Sequence, residues 1–150
     1  MHIAQCLAGM AFSNALLGIS QSLAHKTGAI FHIPHGCSNI IYLPYIIQWN
    51  RTVSEKTYAE IARYIRLSGN NDKELYDSYV EFIRDFNRKL IIPLSLKEYG
   101  IKEDNFKSNL QRISENAEKD ACTGSNSRET KAADFEKTLT AIYYGNDIDF

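Results

Sequence analysis

Residues 3–25 read IAQCLAGMAFSNALLGISQSLAH, and this stretch decides the fold. It is rich in Ala, Leu and Met, all good helix formers. It contains no Asp, Glu, Lys or Arg. Residues 1–50 hold a single such side chain, Lys26, and the other 34 fall in residues 51–150. A segment this poor in charge lies in a membrane or is buried on most sides. Gln5, Ser13, Asn14, Ser20, Gln21 and Ser22 interrupt it too often for a membrane span, and no basic region precedes Ala4 as a signal peptide would require. The stretch therefore predicts one unbroken central helix over residues 3–25, surrounded by other elements. Ala8, Gly9, Ala11, Ala15 and Gly18 would let neighbouring helices approach closely. Gly18 weakens a helix, which implies a packing reason for it. Gly28 is the expected stop, with Lys26 well placed for the C-terminal end of the helix dipole. An opening inside a core segment is expected of a piece cut from a longer chain.

Working outward, residues 29–36, AIFHIPHG, predict a loop. A second apolar helix is expected from about Ser38 to Trp49, with a kink or early break at Pro44. From Thr52 the pattern turns amphipathic. Thr52-x-x-Glu55 has the form of a capping box. Tyr58, Ile61, Ala62 and Ile65 mark one helical face that ends at Gly69. Asn71 is placed to cap the next helix, in which Leu75, Tyr79, Phe82, Ile83, Phe86 and Leu90 fall at helical spacing, with Pro93 beyond it. Ser95-x-x-Glu98 and Gly100 predict a short helical turn. Phe106, Leu110, Ile113 and Ala117 mark another helix. Residues 120–130, DACTGSNSRET, are a turn-rich loop, and a last helix is expected from Lys131 to Tyr144 before Gly145. No alternating strand pattern and no internal repeat appear. The fold class expected is all-α: a bundle of about six or seven helices.

At 150 residues, 44% hydrophobic and 23% charged, the chain is sized for a single all-helical domain over residues 1–150, with a real core. Its net charge of −1 provides no footprint for nucleic acid, and its basic residues are dispersed among acidic ones. Cys6, Cys37 and Cys122 are odd in number and form no CxxC, so a disulfide framework is excluded and a cytoplasmic, reducing setting is expected. No GxGxxG, GxxxxGK[ST] or GxSxG string is present.

The histidines are the informative set. His25, His32 and His35 fall within eleven residues of the least charged part of the chain. Imidazole is a common transition-metal ligand and a proton shuttle near neutral pH. The spacing matches no metal signature, so two readings stay open on these residues alone: a functional site, or partly buried histidines hydrogen-bonded to backbone carbonyls.

The strings AGMAFSNALLG, SLAHKTG and FHIPHG, with the later DACTGSNSR and the YYG of the final helix, resemble the C-terminal helical domain of the iron-containing (type III) alcohol dehydrogenases. The likeness spans essentially the whole chain and is densest over residues 7–50. Butanol dehydrogenases and the alcohol dehydrogenase half of bifunctional aldehyde–alcohol dehydrogenases are the most similar locally. The resemblance implies the helical half of a dehydroquinate synthase-like fold. In such enzymes an α/β domain holds NAD(P) on a Gly-rich loop. The helical domain supplies metal ligands across a cleft, and a divalent ion, Fe²⁺ or sometimes Zn²⁺, polarises the alcohol oxygen during hydride transfer.

Carried over residue by residue, the resemblance puts His35 on a metal-ligand position and His25 on a proton-relay or substrate-contact position. Gln21 stands on a ligand position that is normally His, one helical turn before His25. A neutral amide is a poor ligand for a borderline transition metal. The loop also reads SNSR where the family usually has Pro before the Arg, a change expected to matter structurally only. Two further ligands, and the dinucleotide-binding domain, would lie upstream of anything present. The chain is accordingly expected to hold no tightly bound ion alone, to be inert alone, and to self-associate through the uncovered apolar surface of residues 3–25. The completing partner would be the dinucleotide-binding domain, and the substrate a small alcohol or aldehyde. Two other roles fit the same features: one chain of a split dehydrogenase, and a non-catalytic helical association module.

Overall fold

A computed structural model describes all of residues 1–150. The fold is all-α, with no strand. Eight helices follow in order: α1 (His2–Ala15), α2 (Ile19–Phe31), α3 (His35–Trp49), α4 (Arg51–Tyr64), α5 (Asp72–Lys89), α6 (Leu96–Tyr99), α7 (Glu103–Glu118) and α8 (Ala132–Tyr144), with a 3₁₀ turn over Thr123–Ser125. The main core joins α2, α3, α7 and α8 through Ile19, Leu23, Ile41, Tyr42, Phe106, Ile113, Phe135, Leu139 and Ile142, all essentially without solvent contact. Phe106 and Tyr143 stack within it at 4.2 Å. Helices α4 and α5 form a smaller annex around Ala59, Ala62 and Leu75.

The expected unbroken helix over residues 3–25 is two helices bent by 104°. Leu16 leaves helical geometry with φ 65°, and the chain stays extended through Gly18. The cause lies in the loop after α7. Asn126 Oδ1 accepts the Ile19 N–H at 3.4 Å, and the Ser125 hydroxyl donates to the Leu17 carbonyl. These bonds take backbone groups that a continuing helix would use. A Cβ on Gly18 would come within 2.8 Å of Asn126 Oδ1, so the packing partner of Gly18 is a loop side chain, not a helix. Only α2 is central: α1 buries none of its residues, and Ile3, Leu7, Met10 and Leu16 face outward. No single helix is long and apolar enough to cross a membrane; α1 and α2 reach that length only as the bent pair.

Gly28 does not stop α2, which runs on to Phe31 and ends at His32 in the left-handed region (φ 55°). A Cβ at Gly28 would meet the Ile33 carbonyl at 3.2 Å, so this glycine makes room for the returning chain. The expected 29–36 loop shrinks to residues 32–34. Thr52 is not a cap either. Helix α4 starts at Arg51 because Asn50 both ends α3 and begins α4, which leaves Thr52 already inside the helix. The Asn71, Ser95 and Gly145 signals appear as expected. Asn71 Oδ1 accepts Glu74 N–H at 2.9 Å, Ser95 Oγ accepts Glu98 N–H at 3.0 Å, and Gly145 closes α8 at φ 79°.

Pro44 does not break α3, which continues to Trp49. A proline has no N–H, so the Ile40 carbonyl one turn earlier loses its helical donor. Asn87 on α5, fully buried, supplies one: its Nδ2 donates to Ile40 O at 3.0 Å. Replacing Asn87 with Ala should therefore destabilise the fold by about 1–3 kcal/mol. In a Pro44→Ala background, where the backbone regains its own donor, the cost should fall by roughly 1 kcal/mol. Urea denaturation of the two single variants and the double variant measures both; equal costs in the two backgrounds would show that Asn87 does not serve that carbonyl.

Candidate active site

The junction of α2 and α3 is locked by a buried chain of hydroxyls. Thr27 Oγ1 donates to the Leu23 carbonyl at 2.6 Å, and Tyr42 OH donates to Thr27 Oγ1 at 2.7 Å. On the outer side of this junction stand Gln21 and His25, one turn apart on α2, and His35, the first residue of α3. The His25 and His35 rings stack with centroids 5.5 Å apart and planes inclined by 15°. Asn39, one turn after His35, lies between the two helices. Its Nδ2 is 3.0 Å from His35 Nε2 and 3.4 Å from Gln21 Oε1, and its Oδ1 accepts from the Ser20 hydroxyl at 3.1 Å. The structure thus brings together all three residues singled out from the sequence as site residues. His32 stays apart, exposed at the left-handed end of α2.

The histidine partners are side chains rather than backbone carbonyls. His25 Nδ1 lies 3.1 Å from Asp120 Oδ2. Lys26 Nζ reaches the same oxygen at 2.8 Å, and the Cys122 N–H donates to Asp120 Oδ1 at 3.0 Å. The Asp120 side chain keeps only 9% of its exposure. Burial works against its charge, but the hydrogen bonds from Lys26, Cys122 and His25 outweigh it and hold the carboxyl well below the usual range. Burial and the neighbouring Asp120 charge push the Cys122 thiol the other way, upward. Lys26 is not in the last turn of α2, as the sequence had implied; it is the counter-ion of Asp120.

Asp120, Cys122 and Asn39 were missed in the sequence. Two signals were present. The only formal charge in the first fifty residues needs an acidic partner from elsewhere in the chain. The loop that resembles the family also opens with Asp-x-Cys, which puts an O and an S donor two residues apart.

As donors for a transition metal, His35 and Gln21 fall short. They offer one imidazole, whose Nε2 already faces Asn39, and one amide oxygen. Open zinc-type sites use three protein ligands and closed ones four. The pair as it stands does not fit such an ion.

An all-α domain with a histidine pair at a helix junction is the class the geometry defines. Residues 1–143 match the sequence model of the Fe-containing alcohol dehydrogenase family, C-terminal, and the chain belongs to that family. It is 56% identical over its full 150 residues to the NADPH-dependent butanol dehydrogenase of Clostridium saccharobutylicum, of which it spans 39%. It is 34% identical to the bifunctional aldehyde-alcohol dehydrogenase AdhE of Escherichia coli K12, with 98% of this chain and 18% of that protein covered. Among solved structures, an iron-containing alcohol dehydrogenase from Thermococcus thioreducens superposes with a TM-score of 0.85 at 28% identity, covering 97% of this chain and 36% of that one. A 1,3-propanediol oxidoreductase superposes with a TM-score of 0.83 at 27% identity, covering 91% and 35% respectively. The chain thus spans well under half the length of the relatives it matches.

The depressed carboxyl of Asp120 links stability to pH. Its contribution is fully present above the unfolded value of about 3.9 and is lost as pH falls through the lower folded value. Asp120→Asn should lower stability near neutrality by about 1–3 kcal/mol, since it weakens bonds to a charged acceptor. It should also flatten the loss of stability below about pH 4. Thermal unfolding followed across the acid range tests this, and an unchanged acid slope in the variant would remove Asp120 from the linkage.

Proposed function

We propose that this chain is the metal- and substrate-facing half of an NAD(P)-dependent alcohol dehydrogenase that interconverts a small alcohol and its aldehyde, and that it is inert without the dinucleotide-binding part. The observation that carries this reading is the convergence of His25, His35 and Gln21 at the α2–α3 junction, within a chain of this family. The likeness to an NADPH-dependent butanol dehydrogenase supports a small primary alcohol and NADPH as the starting hypothesis. The three free cysteines accord with a reducing, cytoplasmic setting.

A nicotinamide held by the dinucleotide-binding part would supply the hydride acceptor for the alcohol carbon, and the hydroxyl proton would be left for this chain's residues to take. His25 is placed to hold that proton. Asp120 engages Nδ1, which leaves Nε2 as the ring nitrogen free to meet the substrate proton. Stacking on His35 fixes the plane of the ring. Lys26 already neutralises much of the Asp120 charge, so the carboxylate contributes orientation more than basicity.

The test is a chimera that joins this chain to the N-terminal portion of the butanol dehydrogenase relative, assayed for NADPH oxidation with butyraldehyde. The chain alone should show no turnover. In the chimera, His25→Ala should lower kcat by roughly 10²–10⁴-fold with little change in bound iron. Gln21→His should raise bound iron, on the scale of roughly 10–100-fold in affinity that even indirect ligand changes produce. An unchanged kcat in His25→Ala, or no gain of iron in Gln21→His, would break the corresponding residue assignment.

The outward apolar face of α1 supports a second element of this proposal, that the remaining part of the enzyme docks there. Without that cover the chain should self-associate. Sedimentation velocity over rising concentration should show oligomers, and a clean monomer throughout would argue against α1 as a docking surface.

A further inference from the structure

We infer that His25, Asp120 and Cys122 form a binding site for a thiophilic divalent cation of the zinc type, using a ligand set separate from His35 and Gln21. One donor atom from each residue lies within 4.8 Å of the other two: an imidazole nitrogen, a carboxylate oxygen and a sulfur. Mixed N, O and S donation suits Zn²⁺, which at ligand distances of about 2.0–2.3 Å needs its donors roughly 3.3–3.8 Å apart in a tetrahedron. Closing the cluster by about 1 Å satisfies that geometry and leaves one position for water, the pattern of open zinc sites. The closure is available because Cys122 sits on the turn that follows α7, while His25 is a half-exposed side chain on the surface of α2.

The support around these donors is already built. Asp120 is held by the Cys122 N–H, so the two loop ligands move as a unit. The Thr123 hydroxyl lies 2.7 Å from that of Ser22, and the Ser125 hydroxyl bonds to Leu17, which ties the loop to α2 and the residues just before it. His25 Nδ1 faces the carboxylate, so the ion enters between two groups that are in contact without it. On binding, the imidazole proton moves from Nδ1 to Nε2, the Cys122 thiol releases one proton to solvent, and the S–H bond is replaced by an S–metal bond. Lys26 opposes the ion, since its ammonium occupies Asp120 Oδ2. This site stands on the geometry of residues 25 and 120–122 and does not depend on the hydride-transfer reading.

Cobalt reports the site because thiolate–Co²⁺ coordination gives a near-ultraviolet charge-transfer band. Titration of the 150-residue chain with Co²⁺ should produce that band, and Zn²⁺ should displace it. The band should vanish in Cys122→Ser, a near-isosteric change that keeps the helical circular dichroism. It should weaken by about tenfold or more in affinity in His25→Ala. It should persist in His35→Ala and Gln21→Ala, and in the Cys6→Ser/Cys37→Ser double variant. Lys26→Met, which removes the competing cation, should tighten binding several-fold. No band in the parent chain, a band that survives Cys122→Ser, or one abolished by His35→Ala would overturn the proposal.

Discussion

Asn126 is the point on which the arrangement of the first fifty residues depends. Its side chain reaches across more than a hundred residues of sequence to accept the first free N–H of α2. It also exchanges hydrogen bonds with Asn50, where α3 turns into α4, at 3.2 and 2.9 Å. One amide therefore fixes the start of one core helix and the end of the other. Gly18 is the concession the chain makes to it, because any Cβ there would strike the amide oxygen. Arg128 extends the clamp: its guanidinium lies 3.5 Å over the Trp49 ring and donates to the Trp49 carbonyl at 2.8 Å. The loop thus sets where α2 begins and where α3 ends, while the short turn between them holds the histidines together.

The division between what the residues reveal and what they hide follows from range. Local signals were legible. Asn71, Ser95 and Gly145 act on backbone groups within four residues of themselves, and helices α5, α6 and α8 appear where those signals put them. The small and apolar run of residues 3–25 was misread as one helix because nothing within it opposes helix continuation. What opposes it is Asn126 and Ser125, and no periodicity encodes a partner that distant. Pro44 is the mirror case. A strong local breaker was overruled by Asn87, again from another helix. The Thr52 cap failed for a third reason, since the preceding turn took only one residue and the helix had already begun.

The site was legible in part for the same reason. Gln21, His25 and His35 are close in sequence, and helix geometry with one short turn brings them together. Asp120 and Cys122 are ninety-five or more residues from His25 and enter only when the chain closes on itself. Lys26 was the clue in plain view. A lone charge in a stretch otherwise free of it stands out, and in the folded chain an acidic side chain, Asp120, meets it.

That single carboxylate then has more suitors than it can serve. Lys26 and His25 both take Asp120 Oδ2, and the Cys122 backbone takes Oδ1. With Lys26 engaged, the carboxylate is largely neutralised and its effect on His25 is to orient the ring. With Lys26 displaced by a divalent ion, the same oxygen becomes a ligand and His25 loses its free choice of tautomer. The two states cannot coexist, because Nδ1 cannot both donate a proton to Asp120 and give its lone pair to a metal. The balance between them is set by a lysine ammonium that is still 30% exposed and so gains little from remaining buried. The geometry at residues 25, 26, 120 and 122 is thus a competition between two cations for one oxygen. The winner decides whether the histidine can move a proton or is held at a metal.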